Sequence, residues 1–342
     1  MRVLVVGAGA VGQYLAARLI QAGNDVVIMG RPAQAESLSA SGILVRVEGN
    51  VFQTSAQAVA GIDDVALQAP FELVVLAVKS FATAQAAAAI ADIPACRNAS
   101  ILTVQNGVGN EEVLADVFGA ERIVAGALTV AVDRTGPNEV SATAKGGLCI
   151  APLGSNPHNW IIAALSTAKL SVRAVSDWQS LKWSKLCINI LGNGVCAALD
   201  WTPAQVYADD IAFSIERASL LEAIAVMSLL GVAPINLVNY PAALLIRSAP
   251  LLPAPVLRMV LTNRVARARG DKLPSLLMDL RAGREHSEVG TLNGAVALHA
   301  IKNGLRAPSN TKLTEIVTGI ASGTVDWNAY RGKPGTLQAA IS

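Results

Sequence analysis

Lys185, Asn189 and Asn193 stand four residues apart in the stretch Lys182-Trp183-Ser184-Lys185-Leu186-Cys187-Ile188-Asn189-Ile190-Leu191-Gly192-Asn193. Positions i, i+4 and i+8 share one stripe of a helix. An ammonium beside two amides can hold a small polar substrate and give a proton to an oxygen that gains charge. The flanking Leu186, Ile188, Ile190 and Leu191 are apolar. The stripe therefore either lines a cleft or is ordinary solvated surface, and spacing alone leaves both open.

A second constellation opens the chain. Gly7-Ala8-Gly9-Ala10-Val11-Gly12 reads G-x-G-x-x-G, after an apolar run and before a helical pattern. In that context Gly7 permits a tight turn and Gly9 lets the backbone approach a pyrophosphate. Gly12 lets helix and strand pack closely, and the helix N-terminus offers its N–H groups to phosphate oxygens. The six residues are expected to bind a nicotinamide dinucleotide, against the plain alternative of a glycine turn. An acid ending the second strand would mark NAD, but here the strand ends in Gly30-Arg31 and Asp25 lies at its other end. An arginine at that point can pair with a 2′-phosphate, so NADP is expected. The plain alternative is a solvated arginine.

These residues need elements to hold them. Arg2–Val6, Val26–Met29, Phe71–Val78, Ala99–Val104, Arg122–Val130 and Leu170–Val175 read as buried strands alternating with helices. Val11, Leu15 and Leu19 mark the first helix, closed by Gly23. Such alternation implies an α/β fold with a doubly wound, Rossmann-like parallel sheet. Ile43–Val47 and Val51–Ser55, joined around Gly49-Asn50, read as a hairpin. Beyond Trp178 the pattern is helical: Ser180–Leu199, Ile211–Leu230, Leu276–Gly283 and Val289–Asn303. The expected domains are residues 1–175, a cofactor-binding Rossmann domain, and 176–342, an all-helical substrate domain.

Bulk properties fit. At 342 residues the chain is long enough for two domains. A net charge of +2, with no basic stripe interleaved with aromatics, argues against nucleic acid. The apolar stretches 212–231 and 241–265 are interrupted by Glu216, Arg217 and Glu222, and by four prolines with Arg247 and Arg258. Both read as buried helices rather than membrane spans, and the first apolar run is too short for a signal peptide. Cys96, Cys149, Cys187 and Cys196 show no C-x-x-C spacing and no clustering with the three histidines, so neither metal nor disulfides are expected. A reducing compartment, the cytoplasm, fits best.

Taken together, Gly7–Gly12, Arg31, Ala77-Val78-Lys79, Gln105-Asn106-Gly107, the Lys185/Asn189/Asn193 helix, Pro274–Asp279, Ser287-Glu288 and Leu292-Asn293-Gly294 resemble the ketopantoate reductase family. The resemblance runs in order along nearly the whole chain. It implies that Lys185 is the general acid and that Glu288 works with it and the substrate. It further implies that Asn189, Asn193 and Ser275 bind substrate, that Asn106 lies near both nicotinamide and substrate, and that Lys79 contacts the cofactor. The run Gly283-Arg284-Glu285-His286-Ser287-Glu288 is one residue longer than is common in the family, so Glu285 competes with Glu288. Tyr240–Gly270 is unusually rich in proline and arginine: Arg258, Arg264, Arg267 and Arg269, followed by Lys272, stand against Asp271. It is either a solvated face or the mouth of an anion-binding cleft.

The implied activity is NADPH-dependent reduction of 2-dehydropantoate to pantoate, for pantothenate and coenzyme A biosynthesis. The alternatives are reduction of another small 2-keto acid or an opine-type imine, and a non-catalytic NADP-binding protein. A homodimer is compatible with all three.

Overall fold

The computed structural model describes residues 1–66, 69–156, 158–267 and 272–342. The chain divides into two compact units. One comprises Met1–Gln105, Gly109–Lys182 and Asn236–Tyr240, the other Asn106–Val108, Trp183–Ile235 and Pro241–Ser342.

The first unit carries twelve strands among its described residues: β1 Arg2–Val6, β2 Asp25–Met29, β3 Ile43–Val47, β4 Asn50–Thr54, β5 Gln57–Val59, β6 Leu73–Leu76, β7 Ser100–Thr103, β8 Ile123–Leu128, β9 Val132–Gly136, β10 Glu139–Ala142, β11 Leu148–Pro152 and β12 Val172–Ala174. Eight form one sheet in the order β12-β11-β8-β7-β6-β1-β2-β5. Strand order reverses at β1, which pairs in parallel with β2 on one side and β6 on the other. Open α/β sheets bind ligands at such a switch point, outside the carboxyl ends of the strands. Both faces are covered, with Val3 and Val5 in one apolar cluster and Leu4 and Val6 in the other. Burial on both faces makes parallel strands continuous apolar runs, which is why the sequence exposes them.

The expected doubly wound sheet is present, with one departure: β11 runs antiparallel to β8. The hairpin β3–β4 also forms, but Val47 pairs with Asn50, so its turn residues are Glu48 and Gly49 rather than Gly49 and Asn50. Both adopt positive φ, 39° and 85°, as a tight two-residue hairpin turn demands. The hairpin belongs to a second sheet, β4-β3-β10-β9. Its edge strand β9, Val-Asp-Arg-Thr-Gly, is polar and half exposed and shows no strand pattern.

The second unit contains no named strand among its described residues. Its central helix Asp210–Leu229 packs against Asn293–Lys302, Pro308–Ala321 and Pro334–Ile341. Ser219 Oγ and Asn310 join inside this packing, and Asn293 donates to both. Helices Pro203–Ala208, Pro308–Ala321 and Pro334–Ile341 are absent from the sequence reading, and the stretch 241–265, expected as buried helix, divides into Ala242–Ser248 and Ala254–Leu261. Each has a proline at or beside its first residue, where the fixed φ suits a helix start and the missing N–H costs nothing. No helix among the described residues is long and apolar enough to cross a membrane.

Candidate active site

The glycine loop lies at the end of β1. Gly7 has φ +109°, and a Cβ there would come within 2.8 Å of the Val78 nitrogen. A Cβ on Gly12 would collide with the Gly7 carbonyl, so the first helix, Ala10–Gln21, sits directly against the strand. Gly9 differs: its Cβ would meet nothing within 4 Å. Gly9 is exposed, Ala8 is buried, and no side chain caps the helix that follows. Ala8, Ala10 and Val11 thus frame backbone facing open space, which fits a diphosphate held on main-chain N–H groups. Gln13, itself fully buried, braces the loop by donating to the Ala8 carbonyl at 3.0 Å and the Pro137 carbonyl at 3.2 Å.

Gly30 presses on this loop, since a Cβ on it would lie 2.8 Å from the Ala8 Cβ. Arg31 follows, exposed and extended, as the N-cap of helix Pro32–Ser41. Lys79, half-buried, holds the corresponding place after β6. The glycine loop, Arg31 and Lys79 all lie in the first unit at the carboxyl ends of adjacent strands β1, β2 and β6.

Asn106, Lys185, Asn189, Asn193, Ser275 and Glu288 all belong to the second unit. Asn189 Nδ2 donates to Asn106 Oδ1 at 2.9 Å, joining two amides distant in the chain. Gly107, at φ +84°, is pressed so close to the Thr291 carbonyl that a Cβ would overlap it, and Val108 N donates to that same carbonyl at 3.2 Å. Thr291 ends the short turn Glu288–Thr291. Glu288 is 6% exposed, whereas Glu285 is fully on the surface. That contrast favours Glu288 among the two acids.

The helix expected over Ser180–Leu199 is broken. It runs Trp178–Asn189 and resumes at Gly194–Leu199, with Gly192 at φ +59° in the turn between. The turn frees the Gly192 N–H, which donates to Glu216 Oε1; that oxygen also accepts from Tyr207 Oη at 3.2 Å. Lys185 and Asn189 therefore share one helical face, both half-buried, but Asn193 lies beyond the break. Its side-chain oxygen accepts from Leu276 N at 3.1 Å, and its Nδ2 donates to the Asn189 carbonyl at 3.2 Å and reaches Ser275 Oγ at 3.5 Å. Asn193 thereby caps helix Ser275–Arg281 and fixes Ser275, an exposed residue at its start.

Three supporting groups escape the sequence reading. Gln105 is buried, donates to the Val78 carbonyl at 3.0 Å and Thr83 Oγ1 at 2.8 Å, and accepts from Thr103 Oγ1 at 3.0 Å. Lys182 is 1% exposed and lies 2.9 Å from the fully buried Glu111 carboxylate. Burial pushes the Glu111 carboxyl upward, while Lys182 draws it back. Glu216 is the third. The one available signal was a polar residue inside an apolar stretch; each partner lies too far along the chain for spacing to reveal it.

In the proline- and arginine-rich segment, Arg258 pairs with Asp210 at 2.7 Å and covers the Phe213 ring, so it clamps two helices rather than facing an anion. Arg269 and Asp271 lie outside the described residues. Burial raises the Cys187 thiol to about 12 and the Cys96 thiol to about 11, which leaves neither as a ready nucleophile. Among the described residues no three His, Cys, Asp or Glu side chains gather as a metal site.

Asn193→Ala removes the cap of helix Ser275–Arg281 and is expected to lower stability by about 1 kcal/mol, read as a shift in urea midpoint at constant slope. Asn193→Asp keeps the acceptor for Leu276 N but sets a second acceptor against the Asn189 carbonyl, so it should recover little of that loss. An unchanged midpoint in the alanine variant would show that the cap contributes nothing.

Residues 3–155 match the family model described as ketopantoate reductase PanE/ApbA, and residues 177–321 match the model of its C-terminal part. The chain is 26% identical over 329 residues to a 2-dehydropantoate 2-reductase of Archaeoglobus fulgidus, covering 94% of this chain and 98% of that one. It is 27% identical over 323 residues to one of Halobacterium salinarum, covering 93% and 98%. A PanE/ApbA family ketopantoate reductase from Ralstonia eutropha superposes with a TM-score of 0.80 at 26% identity, covering 95% and 99%. A fold of this kind with both parts matched in order leaves one assignment: the chain belongs to the PanE/ApbA ketopantoate reductase family.

Proposed function

We propose that this protein reduces 2-dehydropantoate to pantoate with NADPH, with Lys185 as general acid. The observation that carries the reading is the Asn189–Asn106 hydrogen bond at 2.9 Å. It gathers two neutral amides one helical turn from Lys185, in the unit that also holds Ser275 and the buried Glu288. The names of the relatives, 2-dehydropantoate 2-reductase, support the same substrate.

The cofactor is proposed to rest on Gly7–Gly12, with Arg31 on the 2′-phosphate and Lys79 and Asn106 toward the remainder; when bound it supplies hydride. Lys185 keeps its proton at Nζ until negative charge grows on the substrate's carbonyl oxygen, then delivers it there, completing the alcohol. A positioned acid of this kind is worth roughly 10²–10⁴ in rate. Asn189, Asn193 and Ser275 orient the carboxylate and hydroxyl through neutral dipoles, which do not compete with Lys185 for the developing charge. Glu288 accepts from the substrate hydroxyl or orients the lysine. The proposed domains remain residues 1–175 for cofactor and 176–342 for substrate.

The decisive assay follows NADPH absorbance with ketopantoate against its deoxy analogue, trimethylpyruvate. A site built to bond a hydroxyl rejects the analogue lacking it, by roughly 10⁴–10⁵ in favourable cases. Ketopantoate should therefore lead widely in kcat/KM; equal turnover, or reduction of some other keto acid alone, would refute the substrate assignment.

Lys185→Ala is expected to lower kcat at least about 100-fold while NADPH affinity stays near wild type, measured by fluorescence titration. A variant that keeps most of its kcat rules Lys185 out as the acid. Arg31→Ala should weaken NADPH binding roughly tenfold or more, the worth of a charge-assisted bond, and leave NADH nearly unaffected. Equal losses for the two cofactors would show that Arg31 does not read the phosphate.

A further inference from the structure

The mechanism above leaves one buried cation without a task. Lys182 is the largest side chain in the molecule with almost no solvent exposure, at 1%. Its Nζ donates to the Gln105 carbonyl at 2.6 Å and approaches the Gly126 carbonyl at 3.5 Å, with the Glu111 carboxylate at 2.9 Å. Three elements thus converge on one ammonium: the chain leaving β7, strand β8, and the first turn of helix Asn110–Phe118. The residue after Gln105 is Asn106.

We propose that Lys182 is a positioning residue for the reaction, tethering the Gln105 carbonyl so that the turn carrying Asn106 holds one geometry, while Glu111 neutralises the buried charge. The proposal rests on the reading of Asn106 given above.

Gln105 is pinned at both ends. Its side chain is bonded to Val78, Thr83 and Thr103, and Lys182 holds its carbonyl. Holding that carbonyl fixes the plane of the Gln105–Asn106 peptide, and so the direction in which the chain enters Asn106, whose amide meets Asn189. Ordinary stabilisation does not account for the lysine. A buried ion pair is commonly neutral in stability, or worse, relative to apolar residues of the same volume, because desolvating two charges cancels their attraction. Two apolar side chains would fill the same space, yet neither could hold a carbonyl. Glu111 accordingly serves the charge balance: both its oxygens are buried, and Lys182 lies 2.9 Å from one of them.

The double variants Lys182→Met with Glu111→Leu, and Lys182→Met with Glu111→Gln, separate positioning from stability. Each removes the tether without leaving a lone buried charge. For a folded double variant with Tm within a few degrees of wild type, amide exchange in peptides covering Val104–Val108 should quicken about tenfold or more. With it, kcat for ketopantoate should fall roughly 10- to 100-fold, the scale of an ångström's misplacement, with KM changed much less. Native kcat in such a variant overturns the proposal, and so does failure of both doubles to fold, which would assign Lys182 to stability alone. If wild type reduces no keto acid and the exchange still quickens locally, the tether stands and the functional reading fails.

Discussion

Most side chains proposed for substrate or cofactor sit where a strand or helix starts or stops, Lys185 inside helix Trp178–Asn189 being the exception, and a stopped element leaves backbone groups that must find partners. A buried N–H or C=O left unpaired costs about as much as a lost hydrogen bond, so such groups are nearly always satisfied. Here the partners are buried polar side chains. Asn193 takes the Leu276 N–H, Glu216 the Gly192 N–H, Gln105 the Val78 carbonyl, Gln13 the Ala8 carbonyl and Lys182 the Gln105 carbonyl. Each bond closes one end of an element, and each closed end carries a proposed site residue or its neighbour. Within each unit, the same bonds that close the irregular ends fix the backbone on which the proposed residues sit.

The two lysines of helix Trp178–Asn189 show how burial sorts like residues into unlike tasks. Lys182 and Lys185 are three positions apart on one helix, yet one is sealed and the other half-buried. The sealed ammonium has its hydrogen bonds committed to a carboxylate and a carbonyl. The half-buried Lys185 keeps part of its side chain open to solvent, as the proposed acid must. Spacing could not separate them, because the groups that neutralise Lys182 arrive from Glu111 and Gln105, far off in the sequence.

Legibility followed the range of the forces. The parallel strands were plain because burial on both faces writes uninterrupted apolar runs such as Leu73–Leu76. The glycine loop was plain because only glycine tolerates φ +109° at Gly7 and the contact at Gly12. Strands β9 and β10 were not, since β10 pairs with β3, distant in the chain, and β9 joins the sheet only through β10. The prolines of 241–265 interrupt an apolar span and do not by themselves mark boundaries, yet Pro241 and Pro253 stand at the starts of helices Ala242–Ser248 and Ala254–Leu261. Within the site, the i, i+4 relation of Lys185 and Asn189 held, while the third member failed at Gly192, whose left-handed φ interrupts the helix.

That interruption changes what Asn193 can do. Had the helix continued, Asn193 would present a third amide on the same face as Lys185 and Asn189. Beyond the break its carboxamide is instead engaged by Leu276 N, the Asn189 carbonyl and Ser275 Oγ. A direct substrate contact would have to share hydrogen-bonding capacity already in use, whereas the exposed Ser275 hydroxyl is held in place by that same amide. The break shortens the polar stripe to Lys185 and Asn189, the residues proposed for proton delivery and substrate binding, and sets Asn193 to bracing the Ser275 hydroxyl. Ordering such groups during folding removes their entropy from the reaction itself, the general advantage of a site assembled before its substrate arrives.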